Sequence, residues 1–328
     1  MGITSVLADD RARDIPVIDI SPLVVGDVSG SRAVAAALRR ACTGTGFFYV
    51  ANHGVARDAV AGAFADAKRF FDQPLAAKER ITIRNNTNFR GYTGLRGQVL
   101  DRATGGDIKE SMYLGLDLPP DDPLVVAGTP HHGPNQWPEG LPGWHEAVLG
   151  YYADMEALAR TLINGLALSL DLPWGFFDAS LDRAMMSLRL LHYPPHPEAD
   201  AGREVGCGAH TDWGALTILA QDEIGGLEIR RPSGDWMVAT PIPDTFVVNI
   251  GDLMARWTND LYASTPHRVL NRSAYSRYSA AFFANTNYHA LIECLPTCCG
   301  PHRPPRYPPI LAGEHLNEMK RKSYGVAA

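Results

Sequence analysis

The pattern of hydrophobic and polar positions changes its period near Met186. Before this residue, apolar positions recur every three or four residues, as they do along the buried face of a helix. After it, short apolar runs follow one another closely, separated by turn residues such as Gly225 with Gly226 and the segment 232–235. This change predicts helices in the first half of the chain and short strands in the second.

Three helices are predicted before the period change. One extends from Ser31, taken as its N-cap, to about Cys42, and a second from Ala56 to Phe71. The third and longest follows Pro142 and Gly143. Its apolar face is formed by Val148, Tyr152, Met155, Leu158, Leu162 and Leu166.

Two strands are predicted near the start of the chain, on either side of the first helix, and others throughout the second half. The early ones are IPVIDI at 15–20 and GFFYVANHGV at 46–55, and the polar, Gly-rich segment 82–97 is predicted to be a loop, a candidate for mobility. The later ones are SLRLLHY, ALTILA, GLEIR, DWMVA, TFVVNI and YSAAFFAN. So many short strands are typical of a sandwich or a jelly roll, so the fold class expected is α+β.

Composition narrows the class of protein without identifying it. The 328 residues are 45% hydrophobic and 20% charged, as in ordinary globular proteins, and the net charge of −6 gives no reason to expect nucleic acid or an anionic membrane as a partner. No apolar run is long enough for a transmembrane helix, and the N-terminus lacks the pattern of a signal peptide. Five cysteines, an odd number, do not suggest a disulfide framework. The predicted location is the cytoplasm.

The candidate chemistry lies in three residues, His210 and Asp212 in GAHTDWG and His267 in STPHRV. Two imidazoles and one carboxylate leave three positions open on an iron(II) ion, which is the ligand set of non-haem iron oxygenases. A His-x-Asp triplet alone is weak evidence, since about one is expected by chance in a chain of this composition. A structural zinc site is an alternative, but it would normally need a fourth ligand, and no nearby cysteine or histidine supplies one.

The surrounding segments strengthen this interpretation. In chain order they are IPVIDI, GFFYVANHGV, HGPNQWP, LLHYPPHP, GAHTDWGALTIL, GGLEIR, NIGDLMARWTNDLYASTPHRV, RYSAAFFANTNY and YPPILAGEHL. Together they resemble the isopenicillin N synthase-like branch of the iron(II)/2-oxoglutarate oxygenases over nearly the whole chain. The resemblance implies a double-stranded β-helix, or jelly roll, flanked by helices.

The resemblance also suggests how the chain is divided, within one structural unit. Residues 1–130 would form an N-terminal region of short strands and helices that packs on the core. Residues 131–183 would form a helical support, and residues 184–290 the catalytic jelly roll. Residues 291–328 would form a C-terminal tail and helix.

Three further residues are implied to hold 2-oxoglutarate. Arg277 and Ser279 form the Arg-x-Ser pair that follows the second histidine in the family, and the guanidinium of arginine suits two-pronged binding of a carboxylate. Tyr193 matches the tyrosine that completes this anchor. Leu191 stands where plant-like members carry asparagine, which leaves the strength of one hydrogen bond to the cosubstrate open.

The resemblance implies iron(II), 2-oxoglutarate and O₂ as the cofactors, with ascorbate as a candidate addition, and a small organic molecule as the substrate. The retained Asp212 favours hydroxylation, desaturation or ring closure over halogenation, because halogenases of this superfamily replace the carboxylate. Alternatives are an iron oxidase of the isopenicillin N synthase type that does not consume 2-oxoglutarate, an enzyme that makes ethylene from 2-oxoglutarate, and a non-catalytic jelly-roll binding module.

The resemblance implies that the substrate lies over the iron, between the mouth of the jelly roll, an N-terminal loop and C-terminal segments. Candidates for substrate contact come from the 82–97 segment, from Tyr113 after it and from the barrel. They are Arg90, Tyr92, Arg96, Tyr113, Leu190, Trp213, Trp257, Phe283 and Asn285. For the aromatic residues the alternative is core packing, and for Arg90 and Arg96 it is a solvated loop charge. If either arginine reaches the pocket, it favours a substrate with a carboxylate. The identity of the substrate, the carbon attacked, the pathway and the oligomeric state do not follow from the sequence.

Overall fold

The structure is a computed structural model that describes residues 15–196 and 205–324. The first part of the predicted N-terminal region, residues 1–14, and the end of the predicted C-terminal tail, residues 325–328, lie outside the described residues, as do residues 197–204 of the predicted jelly roll. The described α-helices are α1 (Ser21–Val25), α2 (Val28–Thr43), α3 (Arg57–Phe71), α4 (Leu75–Glu79), α5 (Pro123–Val126), α6 (Trp144–Ser169), α7 (Asp252–Trp257) and α8 (Ala312–Tyr324).

The strands assemble into two main sheets and one small one. The strands are β1 (Val17–Asp19), β2 (Phe47–Ala51), β3 (Gly91–Thr93), β4 (Glu110–Gly115), β5 (Ser187–Tyr193), β6 (Cys207–His210), β7 (Leu216–Gln221), β8 (Leu227–Arg230), β9 (Trp236–Val238), β10 (Phe246–Ile250), β11 (His267–Val269), β12 (Arg277–Ala284), β13 (Leu291–Ile292) and β14 (Ile310–Leu311). The large sheet has the order β1-β2-β10-β7-β12-β5-β4-β3, and the small sheet of the barrel has the order β6-β11-β8-β9. β13 and β14 form a separate two-stranded ribbon.

Side chains of the large sheet alternate between two environments. On β5, Leu188 and Leu190 belong to the core shared with the helices, whereas Leu191 and Tyr193 belong to a second core between the sheets. This follows from the two-residue period of a strand, which sends successive side chains to opposite faces. Helices α2, α3 and α6 contact the outer face of the sheet, so its inner face is left to line the barrel.

The predicted α+β class and jelly-roll architecture are confirmed. The helix after Gly143 is α6, and all six apolar positions predicted for its inner face are buried. The helix predicted from Ala56 is α3, which begins one residue later at Arg57. The six strands predicted after Met186 are all present. The four regions predicted from the resemblance all contribute residues to one hydrophobic core. The boundaries between these regions stay a prediction.

Two local predictions are wrong. Helix α2 begins at Val28, three residues before the predicted N-cap, because the carboxylate of Asp27 accepts a hydrogen bond from the Ser29 amide at 3.0 Å. Ser31 is instead buried inside the helix. The 82–97 segment is not only loop, since it contains strand β3, where Gly91 has φ +119° and a Cβ would lie 2.0 Å from the Ile81 carbonyl oxygen. Only glycine tolerates that backbone position.

We expect Leu190→Ala to lower the free energy of unfolding by about 2–5 kcal/mol, because its side chain is completely buried on the helix-facing side of the sheet. Urea denaturation would measure the loss. Val238→Ala, on a strand side chain that is 58% exposed, is the control and should change stability by less than about 0.5 kcal/mol. Equal effects of the two substitutions would contradict the assignment of the Leu190 side chain to the core beneath the helices.

Candidate active site

Strand pairing brings the two histidines together. β11 lies between β6 and β8, and His267 stands directly opposite His210 in the antiparallel register of β6 and β11. Asp212 follows His210 by two residues, just beyond the end of β6. One ligand atom from each of the three residues lies within 4.8 Å of the others, a spacing that a single metal ion could bridge.

Both imidazoles are oriented by backbone carbonyls. Nδ1 of His210 lies 2.8 Å from the Gly208 oxygen, and Nδ1 of His267 lies 3.1 Å from the Thr265 oxygen. Because a carbonyl only accepts, each Nδ1 carries the proton and each Nε2 keeps its lone pair. These Nε2 atoms are 3.7 Å and 3.8 Å from Oδ1 of Asp212, so three free ligand atoms face one point.

The carboxylate of Asp212 is held from its other side. Its Oδ2 accepts hydrogen bonds from the Thr217 hydroxyl at 2.5 Å and from the Asn249 amide at 2.7 Å. Thr217 is on β7 and Asn249 on β10, two neighbouring strands of the large sheet. These bonds fix one carboxylate oxygen and leave Oδ1 turned towards the histidines, which is how outer contacts orient a metal ligand.

The protonation states also suit metal binding. Burial lowers the pKa of His267 to about 4, with His210 adding to the effect, and burial likewise lowers the pKa of His210. For Asp212, burial alone would raise the pKa, but His267, His210 and the two hydrogen bonds outweigh it and lower the pKa. Near neutral pH the cluster is therefore two neutral imidazoles and one carboxylate.

An inner cavity extends from the three candidate ligands to Arg277. Its lining includes Tyr193, Leu191 and Ser279. Arg277 is completely buried, its Nε donates to the Gly225 carbonyl, and its Nη1 donates to the Ser279 hydroxyl at 3.1 Å. Nη2 is buried and has no hydrogen-bond partner among the described residues.

These residues fit both expected groups. The free Nε2 and Oδ1 atoms form the donor set expected for iron(II), and the unpartnered Nη2 of Arg277 would be unfavourable in the absence of an acceptor. The guanidinium carbon lies 4.7 Å from the centre of the Tyr193 ring, which keeps the guanidinium positioned inside the barrel. A dicarboxylate such as 2-oxoglutarate would supply the missing acceptor.

An outer cavity adjoins the inner one, and His210, Asp212, Leu100, Arg189 and Phe283 line both. Four of the predicted substrate residues line this outer cavity: Tyr113, Trp213, Phe283 and Asn285. The rings of Tyr113 and Phe283 are nearly parallel, 9° apart in plane with centroids 6.5 Å apart. These residues give the cavity flat aromatic walls beside the candidate metal position.

The other five predicted substrate residues do not line the outer cavity. Leu190 faces the helices, and Trp257 packs on Phe177 with ring centroids 4.8 Å apart. The Tyr92 hydroxyl donates to Glu110 at 2.7 Å.

The two arginines of the 82–97 segment differ in environment. Arg90 is buried, and its Nη2 donates to the His131 carbonyl at 3.0 Å, so it is no solvated loop charge. Arg96 is exposed, with φ +59°. Neither reaches the lining of the outer cavity.

Several residues beside the cluster were not predicted from the sequence. Arg189 lines both cavities, and Lys109 lines the inner one, where it pairs with Asp107 at 2.5 Å. Helix α8 contributes a wall of the outer cavity formed by Leu316, Lys320 and Tyr324. A signal for Arg189 was available: it is the charged residue on the barrel-facing side of an otherwise apolar strand. The family resemblance places C-terminal segments near the substrate, but it does not single out these three residues of α8.

Comparison with known proteins identifies the family. Residues 15–140 match the family model described as "non-haem dioxygenase in morphine synthesis N-terminal". Residues 184–286 match the model of the 2OG-Fe(II) oxygenase superfamily. A 2-oxoglutarate-Fe(II) type oxidoreductase from Emericella nidulans is 38% identical over 317 residues, covering 95% of this chain and 91% of the relative. A 2-oxoglutarate-dependent dioxygenase from Monascus ruber is 38% identical over 284 residues, covering 83% and 85%.

Solved structures agree in fold. A full-length Neurospora crassa protein in complex with alpha-KG, which is 2-oxoglutarate, and thymine superimposes with a TM-score of 0.82 at 30% identity, covering 94% of this chain and 97% of that one. A putative 2OG-Fe(II) oxygenase from Caulobacter crescentus gives a TM-score of 0.81 at 30% identity, covering 94% and 99%.

The fold and the two-histidine, one-carboxylate cluster thus define the class as a non-haem iron oxygenase. The chain belongs to the 2OG-Fe(II) oxygenase superfamily, as its sequence led us to expect. It is an iron(II)- and 2-oxoglutarate-dependent oxidoreductase that uses O₂. Within the part of the chain that the structure describes, no helix is long and apolar enough to cross a membrane.

We expect Thr217→Val to weaken binding of a divalent metal by about 10- to 100-fold, because it removes one of the two bonds that orient the Asp212 carboxylate. Calorimetric titration with Co²⁺, which is stable in air, would measure the change. Thr161→Val on the exposed side of α6 is the matched control. Unchanged affinity of the Thr217 variant would show that the carboxylate needs no such support.

Proposed function

We propose that His210, Asp212 and His267 bind the iron(II) ion, and that Arg277, Ser279 and Tyr193 hold 2-oxoglutarate beside it. The enzyme would then oxidise a C–H bond of a small organic molecule in the outer cavity, by hydroxylation, desaturation or ring closure. The retained carboxylate of Asp212 supports these reactions over halogenation. When bound, iron(II) and 2-oxoglutarate together with O₂ supply the oxidant, and 2-oxoglutarate is converted to succinate and CO₂.

One observation carries the cosubstrate assignment: the unpartnered Nη2 of Arg277. A guanidinium that is completely buried needs an acceptor for each N–H, and a carboxylate supplies two oxygens in the right plane. Two of its three nitrogens are already bound, to Gly225 and Ser279, so the third is held in place before any ligand arrives. Such preorganisation reduces the entropic cost of binding.

The protein's own contribution to the chemistry is orientation. The carbonyls of Gly208 and Thr265 fix the imidazole tautomers, and Thr217 and Asn249 fix the carboxylate. The aromatic walls of the outer cavity would hold the substrate next to the metal and exclude water from the reacting carbon.

A small substrate is supported by the size of the site and by relatives. The outer cavity is bounded by large side chains, among them Tyr113, Trp213 and Phe283. The Neurospora protein was crystallised with thymine and with 5-formyluracil, both single-ring compounds. Ascorbate as an addition, the absence of a nucleic-acid partner and a cytoplasmic location stay predictions from the sequence.

The nearest alternative is an oxidase of the isopenicillin N synthase type, which binds iron but does not consume 2-oxoglutarate. It would leave Nη2 of Arg277 without a ligand, which is why we favour the 2-oxoglutarate-dependent reaction. Leu191, in place of the asparagine of plant-like members, lines the same cavity as Tyr193, where Arg277 and Ser279 are retained. A direct test of cosubstrate binding separates the two enzymes.

We expect anaerobic addition of 2-oxoglutarate to the iron(II)-loaded protein to produce the weak visible charge-transfer band of a chelated keto acid. Arg277→Met should weaken 2-oxoglutarate binding by about 30-fold or more, because it removes a buried charge partner. Titration of the band gives the affinity, and a separate iron titration shows that the variant still folds and binds metal.

Arg39→Met is the matched control, since Arg39 is an exposed arginine paired with Asp171 on the surface. It should leave the band unchanged. If iron binds to the native protein and no band appears, the oxidase alternative is correct. If iron does not bind, the proposed function fails and a non-catalytic binding module becomes the better description.

A further inference from the structure

The outer cavity contains positive charge that the proposed reaction does not use. Arg189 is 6% exposed and Lys320 is 3% exposed, and both side chains line this cavity together with His210 and Asp212. Arg189 comes from β5 and Lys320 from α8, so the two side chains reach the cavity from different elements. Buried arginine and lysine side chains are rare in proteins unless a charged partner neutralises them.

Neither cation has an acidic partner within 4 Å among the residues that the structure describes. Nη2 of Arg189 donates to the Ser111 hydroxyl at 2.9 Å, and its Nε is buried without a partner. Nζ of Lys320 lies 3.2 Å from Nδ1 of His131, a group that carries no negative charge. By contrast, Lys109 in the inner cavity is paired with Asp107. Uncompensated positive charge is therefore found at Arg189 and Lys320 as well as at Arg277.

Three buried cationic side chains lie around a single aromatic ring. Arg90, Arg189 and Lys320 all lie over the ring of Tyr113, at 5.9, 5.8 and 5.0 Å from its centre. Burial and then the two arginines lower the pKa of Lys320 well below its usual value, which is the response expected of an amine that lacks an anion. An anionic ligand between these groups would reverse this effect and favour the protonated amine.

We propose that Arg189 and Lys320 bind a carboxylate of the substrate, so that the enzyme oxidises a small organic acid with a flat, unsaturated body. This inference rests on the proposed function and specifies its substrate class. The free Nε of Arg189 and the Nζ of Lys320 supply the donors for the two carboxylate oxygens. The nearly parallel rings of Tyr113 and Phe283 form walls against which a flat body packs.

The structure thereby assigns a role that we had expected of Arg90 or Arg96. Arg90 adds to the positive potential but is held by the His131 carbonyl, and Arg96 lies on the surface. The carboxylate of the substrate is also distinct from that of the cosubstrate, because Arg277 lines only the inner cavity. The two acids would be bound in adjoining cavities, both lined by His210 and Asp212.

The test is calorimetric titration of the full chain, loaded anaerobically with iron(II) and saturating 2-oxoglutarate, with benzoate and with its neutral amide, benzamide. Saturating 2-oxoglutarate occupies Arg277, so that benzoate reports on the outer cavity. We expect benzoate to bind about 10- to 100-fold more tightly than benzamide, since hydrogen bonds to charged groups are the stronger ones. Cinnamate and cinnamamide repeat the comparison with a longer flat body.

Lys320→Met and Arg189→Met should each remove most of the preference for the acid, whereas Lys320→Arg should retain part of it. Lys322→Met is the matched control, because Lys322 lies on the same helix but is exposed and paired with Glu318. The visible band of bound 2-oxoglutarate, measured in each variant, verifies folding and tests the proposed function separately.

Three results would overturn the inference while the band persists: no binding of either acid, equal binding of acid and amide, or an unchanged preference in both methionine variants. A parallel loss of 2-oxoglutarate affinity in Arg189→Met would assign that arginine to the cosubstrate instead. Absence of the band in the native protein would refute the proposed function, whatever benzoate does.

Discussion

The site depends on one constraint, the two-residue alternation of side chains along the strands of the large sheet. Each central strand must present apolar residues to the helices on one face and the lining of the barrel on the other. On β12, Arg277 and Ser279 face the barrel, whereas Phe282 belongs to the core shared with the helices. A shift of one residue in register would exchange these faces and turn Arg277 and Ser279 towards the helices. Packing of α6 against the sheet therefore also fixes the position of the chemistry.

The charges inside the barrel form a pattern that complements its ligands. One carboxylate, Asp212, is surrounded by imidazoles that burial keeps neutral, which leaves net negative charge for a metal ion. The guanidinium of Arg277 places a positive charge in the inner cavity, which the candidate metal ligands also line. Arg189 and Lys320 do so in the outer one. Unpaired charges in a low-dielectric interior are costly in the free protein, so each is best explained by a ligand that neutralises it.

The sequence predicted much of the fold because its apolar periods are regular: α6 and the strands after Met186 follow directly from them. The prediction failed where two nearby residues could both cap a helix, since the Asp27 carboxylate and not Ser31 caps α2. The spacing of His210 and Asp212 was visible in the sequence, whereas the position of His267 opposite His210 depends on strand register. Leu190 was predicted to contact the substrate, but the alternation of side chains along β5 turns it towards the helices. The same alternation places its neighbour Arg189 at the cavity. No local pattern could bring Lys320 there, because its position depends on how α8 packs.

Helix α8 has a consequence for how such an enzyme could diversify. Leu316, Lys320 and Tyr324 follow one another at four-residue intervals, so they form a single stripe that covers the outer cavity. None of them belongs to a barrel strand or bonds to a candidate metal ligand. This one part of the cavity wall is thus separated in the chain from the candidate metal ligands, unlike Trp213, which directly follows Asp212. Exchanging one helical stripe would therefore reshape this wall of the outer cavity without altering any candidate metal ligand.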